Sequence, residues 1–132
     1  MDYITDIPDA PKAVGPYSPA VKVNAASGEL VFLSGQIGIN PRTSKLVEGG
    51  FEAETRQVLA NIQAVLKHLS LDFGNIIKTT IFVTDLGNYQ KINELYGEAM
   101  GVFRPARSTV QVAALPLGAS VEIEVIASTS PI

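Results

Sequence analysis

One arginine and two glutamates stand out near the end of the chain, in "RPARSTVQVAALPLGASVEIEVIAS" (residues 104–128). Arg107, Thr109 and Gln111 alternate with Ser108, Val110 and Val112, and Ser120, Glu122 and Glu124 alternate with Val121, Ile123 and Val125. Alternation with period two is the pattern of a strand with one apolar face. "LPLG" supplies turn residues between the two segments, so they read as a closing hairpin. With the pleats in phase, Arg107 shares a face with both glutamates. Arginine inside a sheet is costly unless it is paired, and its planar fork suits bidentate capture of a carboxylate. Two arrangements satisfy it. One is an internal salt bridge to Glu122 or Glu124. The other is a bound carboxylate ligand, with a glutamate beside it to handle water or protons. The alternation does not choose between them.

Other chemistries are narrowed by what is missing. There are no cysteines and one histidine, His68, so thiol nucleophiles, disulfides and cysteine zinc sites are excluded. A Ser-His-Asp triad would need that single histidine, and His68 reads as an exposed residue favoured by a helix C-terminus. "GQIG", "EGG" and "YGEAMG" match neither a P-loop nor a dinucleotide fingerprint. What remains is arginine, carboxylate, hydroxyl and backbone. "GPYSP" sets Tyr17 in a turn-rich segment, where core packing of the ring is the plain explanation. "LSGQIG" puts Ser34 and Gly35 near a strand end, where backbone can approach a ligand.

These groups need elements to position them. Residues 1–16 read as an extended arm with Pro8, Pro11 and Pro16. "YSPAVKVN" and "ELVFLSGQIGI" read as a first hairpin turning at Ser27 and Gly28, and "NPRTSKLVEGG" as a loop. In "EAETRQVLANIQAVLKHL" (52–69) the apolar residues Val58, Leu59, Ile62, Val65, Leu66 and Leu69 form a helical stripe. "IIKTTIFVTDL" is rich in β-branched residues and reads as a strand. A second helix starts near Asn88, with Tyr89, Ile92, Leu95 and Tyr96 on its stripe; Gly101 ends it and Pro105 forbids its continuation. The order β-β-α-β-α-β-β makes an α+β chain. Each helix has one apolar stripe, so both are expected on one face of a single sheet. The other face, carrying the groups above, is then either solvated or a meeting place for subunits with a polar pocket between them.

The chain has 132 residues, enough for one domain. Only 17% are charged, with 10 basic against 13 acidic residues and a net charge of −3. Scattered basic residues on an acidic chain make a poor nucleic-acid or anionic-membrane binder. The N-terminus reads as neither a signal peptide nor a membrane span, which with the lack of cysteine fits the cytoplasm. The low charged fraction favours an oligomer.

"GPYSPAV", "VFLSGQIGINP", "TRQVLANIQAVL", "IIKTTIFVTDL", "INELYGEAM" and "RPARSTVQVAALPLGASVEIEVIA" together resemble the RidA (YjgF) family of reactive-intermediate imine deaminases. The likeness runs in order over nearly the whole chain. It implies one domain over residues 1–132, with a chorismate-mutase-like fold: a mixed six-stranded sheet and two helices on one face. It further implies a homotrimer with the helices outward and the sites in clefts between subunits. The activity implied is hydrolysis of 2-imino acids, such as 2-iminobutanoate and 2-iminopropanoate, to 2-oxo acids and ammonia, with no cofactor or metal. By the same likeness Arg107 would bind the substrate carboxylate and Glu122 would position the attacking water. Tyr17, Ser34, Gly35, Asn93 and Thr109 would complete the pocket. Thr109 stands where many relatives carry cysteine, and "LPLGAS" replaces a lysine-bearing turn. Members have also been described as ribonucleases or translation inhibitors; the net charge of −3 and the single histidine argue against RNA cleavage here. A binding module without turnover is the third reading, and Arg107 places the chain with the deaminase branch instead.

Overall fold

The stripe of Val58, Leu59, Ile62, Val65 and Leu66 becomes the buried side of helix α1 (Gly50–His68). Ile92, Leu95, Tyr96 and Met100 do the same for α2 (Tyr89–Met100). The computed structural model describes residues 1–129. Its strands are β1 (Asp2–Ile4), β2 (Ala20–Ala25), β3 (Gly28–Gln36), β4 (Ile39–Asn40), β5 (Lys45–Leu46), β6 (Ile76–Val83), β7 (Ala106–Gln111) and β8 (Val121–Ser128). Six of them form one mixed sheet in the order β1-β2-β3-β8-β6-β7, and β4 with β5 makes a small separate ladder. The first hairpin forms as expected, turning between Ala25 and Gly28. The arm gains a strand, β1, which pairs with β2.

Both helices cover one face of the sheet. Val31, Leu33, Ile81, Val83, Val121, Ile123 and Val125 meet Val58, Ile62, Val65, Leu66, Ile92 and Met100 in a single buried cluster. Each such side chain, fully buried, contributes about 1.5–3 kcal/mol. A second, smaller cluster of Ile37, Ile39 and Ala119 lies at one end of the sheet.

The closing hairpin does not form. β8 is antiparallel to both β3 and β6, and β7 lies at the sheet edge, parallel to β6. Strand β6 therefore separates the two alternating segments. The reason lies in α2: a helix between two strands carries the chain back so that the second runs parallel to the first, and β7 docks beside β6 before the chain crosses to β8. "LPLG" is a short turn within that crossing, with Leu117 in a left-handed conformation at φ 57°.

This pairing also overturns the shared face. Arg107 is level with Thr79 and Thr109 with Ile81, whose side chains are buried under the helices, whereas Glu122 is level with Phe82 and Glu124 with Thr80. Arg107, Thr109 and Gln111 thus belong to the helix side, and the two glutamates to the open side. The open face is also less polar than the alternation suggests. Val21, Leu30, Phe32, Phe82, Val110 and Ile126 occupy the same pleat as the glutamates, and Phe32 and Val110 are each 41% exposed.

Candidate active site

The residues expected to do chemistry gather in two clefts. The first, about 280 Å³, lies between the N-terminal arm and the end of β3, lined by Lys12, Val14, Tyr17, Ser34, Gly35, Gln36 and Glu122 among others. A bulge shapes it. Leu33 pairs with Val125, but the next partners are Gln36 and Ile123, so β3 carries an extra residue at Ser34–Gly35. Bulges re-aim side chains in this way. The Ser34 hydroxyl donates to Ser18 O (2.7 Å) and its backbone N–H to Pro19 O (2.9 Å), tying the arm to the bulge. Tyr17 is exposed, and its hydroxyl accepts a hydrogen bond from Val14 N (3.1 Å).

Gly35 is required by Glu122. A methyl group on Gly35 would lie 2.8 Å from Glu122 Cδ and overlap its Oε2. Glu122 is partly buried. Burial first, and then the charge of Glu124, push its carboxyl above the usual carboxylate range. Gly35→Ala is therefore expected to fold, because only the end of a flexible side chain must move, yet to lose turnover at least about tenfold, as one misplaced group can. Circular dichroism and steady-state kinetics on the same sample check this; full turnover would show that the packed position of Glu122 does not matter.

Three polar side chains of α1 brace this cleft from behind. Glu54, Gln57 and Asn61 share one stripe of the helix. Asn61, 1% exposed, donates to Ile37 O (3.2 Å) and Ile39 O (2.9 Å) and accepts from Gln57 Nε2 (2.8 Å). Glu54, also buried, accepts from Ser120 N (2.8 Å), two residues before Glu122. Gly38 lets the helix come this close: a Cβ there would sit 2.9 Å from Glu54 Cα.

The second cleft lies under α2 at the β7 edge, about 310 Å³, lined by Asn93, Tyr96, Gly97, Arg104, Pro105 and Arg107. The Arg107 guanidinium donates through Nη2 to Asn93 Oδ1 (2.6 Å) and Tyr89 OH (3.3 Å). It also lies over the rings of Tyr96 (5.1 Å to the centroid) and Tyr89 (5.7 Å). Tyr96 is fixed in turn by a 2.9 Å hydrogen bond between its hydroxyl and that of Thr79. Tyr89, Asn93 and Tyr96 fall at i, i+4 and i+7, one face of a helix. Among the described residues Arg107 has no ion pair, and neither glutamate of "VEIE" pairs with it. Thr109 follows Arg107 on the same side of β7, its hydroxyl buried and without a hydrogen-bond partner.

Tyr17, Ser34, Gly35 and Glu122 thus share one cleft, and Asn93 and Arg107 the other; Thr109, next along the same side of β7, lines neither. Arg104, Gln36, Lys12 and the tyrosine pair were not singled out by the sequence. The spacing of Tyr89, Asn93 and Tyr96 was a usable signal, hidden because both tyrosines also fit an apolar stripe. No group of three or more potential metal ligands exists among the described residues, and no helix among them is long and apolar enough to cross a membrane.

One mixed sheet with both helices on one face, and two clefts that divide the candidate residues between them, define a small α+β protein. The chain belongs to the RidA (YjgF) family: the family model described as endoribonuclease L-PSP matches residues 7–129. It is 50% identical over 118 residues to Protein DfrA of Myxococcus xanthus, covering 89% of this chain and 88% of that protein. It is 42% identical over 123 residues to the human 2-iminobutanoate/2-iminopropanoate deaminase, covering 93% and 87%. The crystal structure of RidA from an Antarctic Psychrobacter superposes with a TM-score of 0.89 at 39% identity, covering 96% of this chain and 99% of that one. The mouse and bovine relatives, at 43% and 42% identity, are likewise named 2-iminobutanoate/2-iminopropanoate deaminases.

Proposed function

We propose that this protein hydrolyses 2-imino acids to 2-oxo acids and ammonia, without a cofactor, at sites formed between copies of the chain in a cytoplasmic homotrimer. The observation that carries the reading is the Arg107 guanidinium, held by Asn93 and two tyrosines with no carboxylate of its own. A fixed, uncompensated fork is built for an anionic group from outside. Glu122 supplies the second group, a carboxyl shifted toward working pH as a general base requires.

Chemistry then follows from placement. Arg107 neutralises the 2-carboxylate. Glu122 takes a proton from water as its oxygen bonds to the imine carbon, and the C=N electrons move to nitrogen, which is protonated. The tetrahedral adduct collapses: its hydroxyl proton passes through Glu122 to the amine nitrogen, the C=O forms, and the C–N bond breaks to release ammonia. Positioning and electrostatics suffice for this. Arg107 and Glu122 lie on opposite sides of one sheet, so a neighbouring copy supplies the missing half. The uncovered face with Leu30, Phe32, Phe82 and Val110 is an apolar patch of the kind that subunits bury, and closed cyclic symmetry covers it without leaving a free edge.

The test has two readouts. Freshly generated 2-iminobutanoate should give 2-oxobutanoate faster with the protein than without it, and sedimentation at micromolar concentration should give about three times the 14.0 kDa chain mass. No acceleration defeats the activity, and a monomer defeats the shared site.

A further inference from the structure

Arg107 is not the only guanidinium in the cleft under α2. Arg104 lines it too. Its Nη1 donates to Gly101 O (2.5 Å) and Phe103 O (2.8 Å), which pins the group at the C-terminal end of α2. Capping those carbonyls is a sufficient reason for an arginine there. Yet it uses one nitrogen of a side chain with five N–H donors, and Nε and Nη2 are left for another acceptor.

That acceptor does not come from the cleft itself. Within one copy of the chain, and among the described residues, its lining contains two guanidiniums and no acid. Among the described residues neither arginine has an ion pair. The acids of α2 are engaged or turned elsewhere: Glu94 binds Lys91 (3.5 Å), and Glu98 lines the groove between the two helices. Two like charges in one cleft repel, and on a chain of net charge −3 this is a local excess of positive charge that an anion would relieve. One carboxylate satisfies one fork. Arg104 and Arg107 are three residues apart, so their Cα atoms are separated by at most about 11 Å. On that baseline two guanidiniums lining one cleft can take the two ends of a four- or five-carbon dicarboxylate.

We propose that the cleft is a two-carboxylate subsite, in which Arg107 holds the 2-carboxylate of the ligand and Arg104 a second carboxylate on its side chain. The protein then favours dicarboxylic 2-imino acids, and their 2-oxo products, over monocarboxylic ones. This rests on the reading of Arg107 as the carboxylate anchor, and the stable 2-oxo products make it testable apart from turnover.

Calorimetric titration of the intact assembly with 2-oxoglutarate and with 2-oxobutanoate gives a ratio of affinities on one sample. For the unaltered protein the ratio is expected to favour 2-oxoglutarate by at least about tenfold, which is about 1.4 kcal/mol. In Arg104→Gln, which can still donate to the helix carbonyls, it should fall to about one. Arg104→Lys, which keeps the charge, should retain part of it. Because each ratio is internal to one variant, a partly unfolded sample does not mimic the result. Equal affinities in the unaltered protein overturn the subsite while leaving the monocarboxylate reading intact. A preference that survives Arg104→Gln also overturns it, and its loss in Lys12→Gln instead would move the second carboxylate to the other cleft. If neither acid binds, both the subsite and Arg107 as anchor fail.

Discussion

Arg107→Ala is expected to lower kcat/KM for 2-iminobutanoate by about 10- to 100-fold while leaving a folded protein. A hydrogen bond to a charged group contributes about 1.5–3 kcal/mol, and each 1.36 kcal/mol is a factor of ten in rate. A bidentate grip, if both bonds strengthen in the transition state, takes the loss to the upper end. Folding survives because the guanidinium is not one half of a buried ion pair. What is lost from the fold is contact with the Tyr89 and Tyr96 rings and the bond to Asn93 Oδ1, with cation–π contacts at about 0.5–1 kcal/mol each at accessible sites. Asn93 and Tyr89 remain open to water. Arg107→Lys should restore little, since an ammonium keeps the charge but not the planar fork. Steady-state kinetics with thermal melting on the three proteins checks this. Turnover at the original level in Arg107→Ala would remove the arginine from the site. A collapse of the melting transition would instead assign it a structural task.

Much of the fold was legible because its signals are local. The stripe from Val58 to Leu66 fixes a helix within two residues of where it lies, and the β-branched run of "IIKTTIFVTDL" fixes a strand that starts at Ile76 and stops at Val83, three residues before the segment ends. Each is decided by its own periodicity. The neighbours of β7 and β8 were not legible, because alternation tells which side chains share a face of one strand and nothing about which strand lies next to it. That depends on α2 returning the chain alongside β6. One wrong neighbour was enough to put Arg107 on the wrong face. The site was legible only as a set of residues. The bulge at Ser34–Gly35 and the buried bracing by Glu54 and Asn61 are long-range contacts, 22 to 92 residues apart in sequence. Their polar side chains interrupt no apolar stripe, so nothing local marks them. The division of the site between two clefts has the same cause, since face assignment needs the register.

Glu122→Gln should lower turnover about 10²- to 10⁴-fold, the usual contribution of a general base, and should not lower the melting point at neutral pH. The two halves of that expectation come from one cause. Burial, and secondarily the Glu124 charge, hold the Glu122 carboxyl above the usual carboxylate range. In the window between the ordinary and the raised value, the folded protein keeps a proton that the unfolded chain has released. Stability from this group is therefore full below the window and falls as pH rises through it. At neutral pH the folded state carries a partly buried carboxylate it would rather not have, and a neutral amide of the same size removes that charge. Catalysis runs the other way. The base must be ionised, so the acid limb of the kcat/KM profile should lie above the ordinary carboxylate range and rise with pH. Glu124→Gln separates the two causes. It removes the secondary one, so the acid limb should shift to lower pH with turnover kept on the plateau. Any further loss should appear in assembly, because Glu124 stands on the uncovered face beside Thr80. Profiles and melting curves for both variants decide between the glutamates. An acid limb that stays put in Glu124→Gln would break the electrostatic link, and a fully active Glu122→Gln would take the base away from Glu122 altogether.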